Sequence, residues 1–260
     1  MNMESIIATA PGTYAWCAKN LNTGEVLSYR DREVYPSASL IKVPILAELF
    51  RRVEEEGLSL DETLLLRKED QVPGSGVMQD LTPGTRFLLR DLAMLMITVS
   101  DNSATNLLID FLTVSAVNGL IRRLGLTHTV LERRLQRIPV AREQINRTSA
   151  YDMTRLMELL AQGRVISFDV SRRMIDMLSR CQAPQVLAPQ IPEPEYLEQP
   201  PRIQVAHKTG SLSQARHDSG IVYTARNQVL AITILSQGAP EPTLQKYLNR
   251  IGQKLYHQIS

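Results

Sequence analysis

The sequence predicts an α+β sandwich: an antiparallel sheet of about five strands, flanked by helices and interrupted by an all-helical insertion. Three observations lead there. Strand-like composition is confined to the two ends of the chain, helical periodicity dominates between them, and neither group of strands is large enough to be stable alone. The two ends must therefore share one sheet. This divides the chain into a sheet domain with terminal helices (residues 1–36 and 181–260) and an all-helical domain (37–180), with a cleft between them.

The elements follow in order. Residues 13–21 and 25–30 are apolar-polar stretches around Asn22-Thr23-Gly24, the signal of a hairpin. Residues 39–55 carry apolar side chains nearly all round (Leu40, Ile41, Val43, Ile45, Leu46, Leu49, Phe50, Val53), as a core helix does, and Pro44 makes its first turns irregular. Further helices are expected over 88–98, 103–112, 116–124 (stopped by Gly125), 151–162 and 169–180, with Ser149 and Asp152 forming a capping box for the fourth of these. Six prolines make 183–201 an irregular connector. Strand composition returns at 204–207, 219–224 and 229–236, and 241–258 repeats apolar residues at helical spacing. No internal repeat is visible.

Composition excludes several classes of function. With 260 residues, 43% of them hydrophobic, the chain can bury a large core, and a net charge of +2 with interspersed signs offers no basic stripe for nucleic acid. Arg51-Arg52 followed by Glu54-Glu55-Glu56 reads as a solvated helix face. Cys17 and Cys181, 164 residues apart, fit no metal motif and read as isolated thiols. The four histidines (128, 207, 217, 257) form no helical zinc pair, so neither metal nor cofactor is expected. No apolar run is long enough to span a bilayer, and the segment from Met1 to Ile7 lacks the basic and apolar regions of an export signal. A monomer acting on a small molecule is expected, its compartment left open.

Chemistry enters with three short strings that occur once each, in order: Ser39-Leu40-Ile41-Lys42, Ser100-Asp101-Asn102 and Lys208-Thr209-Gly210. With 18 Ser and 6 Lys, a chance Ser-x-x-Lys is expected about 0.4 times. The other two strings are rarer, about 0.03 and about 0.02 chance occurrences. Ser39 at a helix start meets free N–H groups and the positive end of the dipole. Lys42 lies three residues on, on the same face, and desolvation beside a second cation would lower its pKa enough for it to serve as a base. Taken singly, each string also fits a bland reading: an N-cap serine with a surface lysine, a helix cap before Asn106, a protected strand edge.

The trio resembles the signature of the serine enzymes that include class A β-lactamases and penicillin-binding proteins, most closely the former, over roughly Gly12 to the C-terminus. The resemblance implies acylation of Ser39 by a β-lactam or a D-Ala-D-Ala-like peptide, with Lys42 as base, Ser100 relaying a proton to the leaving nitrogen, and Lys208 supplying positive charge near Ser100. It further implies that Asn102 binds the substrate's side-chain amide and that Thr209 and Ser211 bind its carboxylate. Gly210 would let the substrate lie against the strand, and the N–H groups of Ser39 and Ser211 would form the oxyanion hole. Arg216 is the candidate for the arginine that relatives carry on the next strand. Class A enzymes also carry Glu-x-x-x-Asn in a loop, whose Glu activates the deacylating water. One register matches this to Glu132-Arg133-Arg134-Leu135-Gln136; another sets Leu135 at the Glu position and leaves no base. Glu143 is the only other acid between Asp110 and Asp152. The reading carried forward is a β-lactamase with Glu132 as deacylating base, alternatives being a slowly deacylating penicillin-binding D,D-peptidase and a non-turnover β-lactam sensor.

Overall fold

The computed structural model describes residues 3–136, 144–189 and 203–260. In it β1 (Thr13–Asn20) and β2 (Val26–Tyr29) make the expected hairpin, with Asn20 Oδ1 accepting from the Asn22 and Thr23 amides to close the turn. β7 (Gln204–Leu212), β8 (Ala215–Tyr223) and β9 (Val229–Gln237) complete a five-stranded antiparallel sheet in the order β2-β1-β9-β8-β7. The N-terminal hairpin therefore docks on the last strand of the chain, and β7 is left as an edge.

The sheet is buried on both faces, and the period-two alternation along its strands sorts side chains between two cores. Ala15, Cys17, Ala206, Ile221, Ala231 and Leu235 face a cluster that also contains Leu46, Phe50 and Met153. Tyr14, Trp16, Val222, Ile232 and Ile234 face the other way, against α1 (Met3–Thr9) and α8 (Glu241–Ile259) through Ile6, Leu244, Leu248, Ile251 and Leu255. This double burial explains why β9 reads as nearly continuous hydrophobic sequence.

A 3-10 turn (Ala38–Ile41) leads into α2 (Lys42–Glu56), which stops at Gly57 in the left-handed conformation, φ 72°. Pro44 sits in the first turn of α2, where its missing N–H has no partner to lose. β3 (Tyr35–Pro36) pairs with β6 (Arg147–Thr148), and β4 (Thr63–Leu65) with β5 (Arg86–Leu88). α3 (Leu89–Thr98), α4 (Asn102–Leu112), α5 (Val114–Arg123), α6 (Ala150–Ala161) and α7 (Phe168–Ser179) fall within two residues of their expected bounds. Among the described residues no single helix is long and apolar enough to cross a membrane.

Three features differ from expectation. α1 and the two short ladders carry too few residues to show a period. β7 and β8 are longer than expected: Lys208-Thr209-Gly210-Ser211 lies inside β7 rather than ending it, because pairing with β8 carries these polar residues as strand as far as Leu212↔Ala215. The capping box is half formed. Ser149 Oγ accepts from the Asp152 amide at 3.1 Å, but the Asp152 carboxylate turns to the His128 amide (2.6 Å) and the Thr129 hydroxyl (2.8 Å). As expected, Cys17 and Cys181 are both free thiols.

Gly252 of α8 abuts the 186 segment so closely that a Cβ there would lie 1.6 Å from Val186 O. Gly252→Ala is expected to cost about 1–3 kcal/mol of overpacking strain, lowering the midpoint by about 2–4 °C per kcal/mol in a chain of this size. Thermal unfolding checks this; an unchanged midpoint would mean that the contact between α8 and Val186 yields freely.

Candidate active site

Ser39 lies in the 3-10 turn that opens α2, partly exposed and on the wall of two adjoining cavities. The turn is held from outside, since the Ser37 amide donates to Asn146 O at 2.7 Å and Ala38 takes φ +45°. One turn on, Lys42 is wholly buried. Its Nζ is 2.6 Å from Ser100 O, 3.0 Å from Ser100 Oγ and 3.0 Å from Asn102 Oδ1. These bonds reach across to α4, and none of them goes to Ser39. Burial, then the charge of Lys208, pulls the Lys42 ammonium well below the ordinary lysine pKa, against an opposing pull from Asp101. A neutral amine keeps a lone pair, so Ser100 O–H can donate to Lys42 Nζ while Nζ–H donates to Ser100 O and Asn102 Oδ1.

Ser100 adopts φ +56°, a left-handed conformation that costs a non-glycine residue free energy. Its neighbours over-determine it. Asp101 caps α4 through the Ala104 amide (2.9 Å), and its other carboxylate oxygen accepts from the Val77 and Met78 amides at 2.6 and 2.8 Å. Gly76, at φ +104°, passes so near that a Cβ would meet Asp101 Oδ2 at 2.2 Å.

Edge strand β7 forms the opposite wall. Lys208 is wholly buried in mid-strand, its Nζ 3.0 Å from Thr209 O, and burial lowers its pKa while Cys181 and Asp218 resist. A Cβ on Gly210 would sit 3.1 Å from Ala38 Cβ and 3.3 Å from Ser37 O. The glycine thus lets the strand approach the turn that carries Ser39. Ser211 is exposed and pairs with Arg216 across the hairpin; the guanidinium donates to Ser211 Oγ at 2.6 Å and lies 3.3 Å from Glu241. His217 ties the sheet to the same turn. Its Nε2–H donates to Pro36 O at 2.8 Å while Nδ1 accepts the Ser236 amide, and burial holds the ring neutral, its pKa pushed down to about 4.

The loop beyond α5 supplies the remaining wall, and three asparagines hold its backbone. Asn118 clamps Leu131 through its amide (2.9 Å) and carbonyl (2.7 Å), and Asn106 clamps Leu135 in the same way (2.8 and 3.0 Å). Asn146 Oδ1 accepts from the Glu132 and Arg133 amides, and its Nδ2 donates to Arg133 O. Leu135, Gln136 and Asn146 line the cavity with Ser39 and Asn102.

Ser39, Ser100, Asn102, Thr209, Ser211 and Arg216 all line one or both of the two cavities, with Lys42 buried behind them, Lys208 in the adjoining strand and Gly210 at the strand's contact with the turn. Glu132 is not brought to them. Its carboxylate is taken by Arg147 at 2.9 Å, and among the described residues lining the two cavities there is no acid. Glu143 lies outside the described residues. Asn118 and Asn146 went unnoticed in the sequence because a lone asparagine in a loop carries no periodic or motif signal.

Comparison with known proteins identifies relatives of this chain and of its fold. The model of the family described as Beta-lactamase enzyme family matches residues 2–259. The Beta-lactamase BRO-1 of Moraxella catarrhalis is 23% identical over 217 residues, 82% of this chain and 67% of that protein. The Beta-lactamase of Rhodobacter capsulatus is 28% identical over 159 residues, 60% of this chain and 54% of that protein, so the chain spans little more than half of that relative's length. Among solved structures, a beta-lactamase from Sphaerobacter thermophilus superposes with a TM-score of 0.88 at 28% identity, over 98% of this chain and 94% of that one. PBP-A superposes with a TM-score of 0.85 at 28% identity, over 98% and 92%.

The neutral His217 makes folding pH-dependent. Because its folded pKa (about 4) lies below its ordinary value of 6.5, its contribution to stability is complete above pH 6.5 and is lost as pH falls toward 4. The slope approaches about 1.4 kcal/mol per pH unit inside that window. His207, raised to about 10, acts in the opposite window, losing its contribution as pH rises from 6.5 toward 10. Denaturant unfolding of His217→Asn is expected to show a flatter dependence between pH 4 and 6.5; an unchanged slope would mean that His217 does not titrate on unfolding.

Proposed function

The chain belongs to the beta-lactamase enzyme family, and from that premise we propose that Ser39 is acylated by β-lactams or D-Ala-D-Ala-like peptides and that the acyl-enzyme is released slowly. The chemistry of the first half-reaction follows from the buried amine. Neutral Lys42 accepts the Ser39 proton as Oγ attacks the carbonyl carbon. The Ser39 and Ser211 amides hold the oxyanion, a contribution of about 2.7–4 kcal/mol per donor in comparable sites. Ser100, 3.0 Å from Lys42 Nζ, passes a proton to the leaving nitrogen. Lys208 supplies the positive field, Thr209 and Ser211 bind the substrate carboxylate with Arg216 behind Ser211, and Asn102 binds the side-chain amide. Edge strand β7, unpaired on its outer side among the described residues, offers backbone groups to an extended peptide.

The second half-reaction needs a carboxylate within hydrogen-bond reach of a water beside the ester. The observation that carries slow release is the pairing of Glu132 with Arg147, while Leu135 and Gln136 stand on the cavity wall. Glu132 thereby gives way, as deacylating base, to the register that sets Leu135 at the Glu position. PBP-A, a structural neighbour, has been solved in a leucine-to-glutamate variant as an acyl-enzyme with penicillin-G, which supports acylation by a β-lactam.

Incubation with benzylpenicillin is expected to add one penicilloyl group to Ser39, seen by intact mass and absent in Ser39→Ala; an unmodified wild type would overturn the assignment. Lys42→Ala is expected to slow acylation by about 10²–10⁴-fold. In wild type the rate should hold below the ordinary lysine pKa and fall only when the depressed Lys42 is protonated.

With nitrocefin, a burst followed by slow turnover is expected, unchanged in Glu132→Gln and faster in Leu135→Glu. Rapid multiple turnover that Glu132→Gln abolishes would return the reading to a β-lactamase using Glu132.

A further inference from the structure

Among the described residues three groups hold the Arg216 guanidinium. Ser211 Oγ accepts from Nη1 at 2.6 Å, Glu241 lies 3.3 Å from the same nitrogen, and Pro184 O accepts from Nη2 at 3.3 Å. The first two stand on β7 and α8. Pro184 belongs to an irregular segment, residues 182–188, that has no ladder to fix it. That segment matters to the site, because Gln182 and Ala183 line the cavity that Ser39, Ser100, Thr209 and Ser211 share. Its start is tied to α3 by the Gln182 amide, which donates to Thr98 O at 2.9 Å.

Beyond that bond, side chains of β8 take over. Arg216 and Asp218, two residues apart in an extended strand, point to the same face. The one bonds Pro184, and the other accepts the Val186 amide on Oδ2 at 2.8 Å, so alternate residues of the strand grip alternate residues of the segment. Asp218 Oδ1 lies 2.9 Å from His207 Nδ1 in β7, and Gly220 leaves room for the imidazole, since a Cβ there would lie 2.6 Å from His207 Cβ. Burial disfavours a charged ring, yet the carboxylate against it holds the imidazole up at about 10. On the far side of the segment, Val186 O rests against Gly252 of α8, where a Cβ would stand 1.6 Å away. Asp218 itself is wholly buried and lines neither cavity. A carboxylate is costly to bury, and both oxygens of this one go to His207 and Val186.

We infer that Asp218 is a positioning residue for recognition of the substrate's carboxylate: by holding Val186 it sets Pro184 O, and through it the Arg216 guanidinium, at the wall of the acylation site. This rests on the reading of Ser39 as the acylated residue and of Arg216 as part of the carboxylate's binding site. Asp218 touches neither substrate nor reacting atoms. Without it the backbone of 184–186 relaxes and the guanidinium follows. Charge complementarity at the carboxylate is then lost while Ser39, Lys42 and Ser100, which Asp218 does not contact, stay in place.

The test compares acylation of the whole native chain by benzylpenicillin and by its methyl ester, which keeps the ring and side chain but carries no carboxylate charge. Wild type is expected to react faster with the acid, and Arg216→Ala to lose most of that preference. Asp218→Ala is expected to slow acylation by the acid about 10–100-fold, the effect of misplacing a binding group by about an ångström, and to leave the rate with the ester unchanged. Asp218→Asn, whose side-chain oxygen can still accept the Val186 amide, should recover most of the preference. Gly252→Ala pushes on Val186 from α8 and should weaken the preference in the same way; it decides the matter if Asp218→Ala does not fold. A wild type that is not acylated or shows no preference, or a preference that survives Arg216→Ala, would overturn the reading of the site and this inference with it. A preference lost in Arg216→Ala but kept in Asp218→Ala, equal slowing of acid and ester in that variant, or no recovery in Asp218→Asn would overturn the inference alone.

Discussion

Two lysine side chains, Lys42 and Lys208, are buried completely at one site, and much of the surrounding architecture follows from that. A buried ammonium is costly unless its charge is removed or fully bonded. Lys42 meets the demand in two ways. Its pKa is driven down by burial and by Lys208, and its Nζ is met by Ser100 and Asn102 within 3.0 Å. The same desolvation that makes the amine expensive to bury makes it available as a base. The left-handed Ser100 is the conformational cost of bringing a carbonyl and a hydroxyl to one nitrogen, and the Asp101 cap holds it there.

The proposed nucleophile, Ser39, must be approached by a second surface to be useful. Here that surface is the edge of a sheet whose two faces are otherwise committed to hydrophobic cores. Gly210 brings β7 to within contact of Ala38, and His217 bonds the same turn from β8. The spacing between nucleophile and strand is therefore set by the core packing that positions the sheet against α2, which is stiff, rather than by surface loops.

The two halves of the proposed reaction draw on parts of different rigidity. Lys42 sits on a buried helix, Ser39 in the 3-10 turn that leads into it, and Ser100 in the short connection between α3 and α4, held by the Asp101 cap. The wall that would have to supply a deacylating carboxylate is an irregular loop, pinned by the side chains of Asn106, Asn118 and Asn146 at Leu135, Leu131 and Glu132–Arg133. Such a loop holds backbone in place without dictating side chains, so its chemistry can change while the acylation machinery stays intact.

Composition and periodicity were enough to determine the sheet made from both chain ends, the helical interior and the irregular start of α2, because hydrophobic patterning is local and each element buries a continuous apolar face. Three short strings were enough to name the residues that gather round Ser39, since Ser39 and Lys42 are one helical turn apart and Asp101 and Asn102 open another helix. What only the tertiary structure decided was every relation between distant segments. Lys42 bonds to Ser100 and Asn102, 58 and 60 residues away, rather than to Ser39. Glu132, with an acidic side chain at a plausible spacing, turns to Arg147 because that loop folds back on β6. Polar Lys208–Ser211 becomes strand because β8 pairs with it. Side-chain direction and burial depend on which surfaces meet, and no local pattern in the chain encodes that.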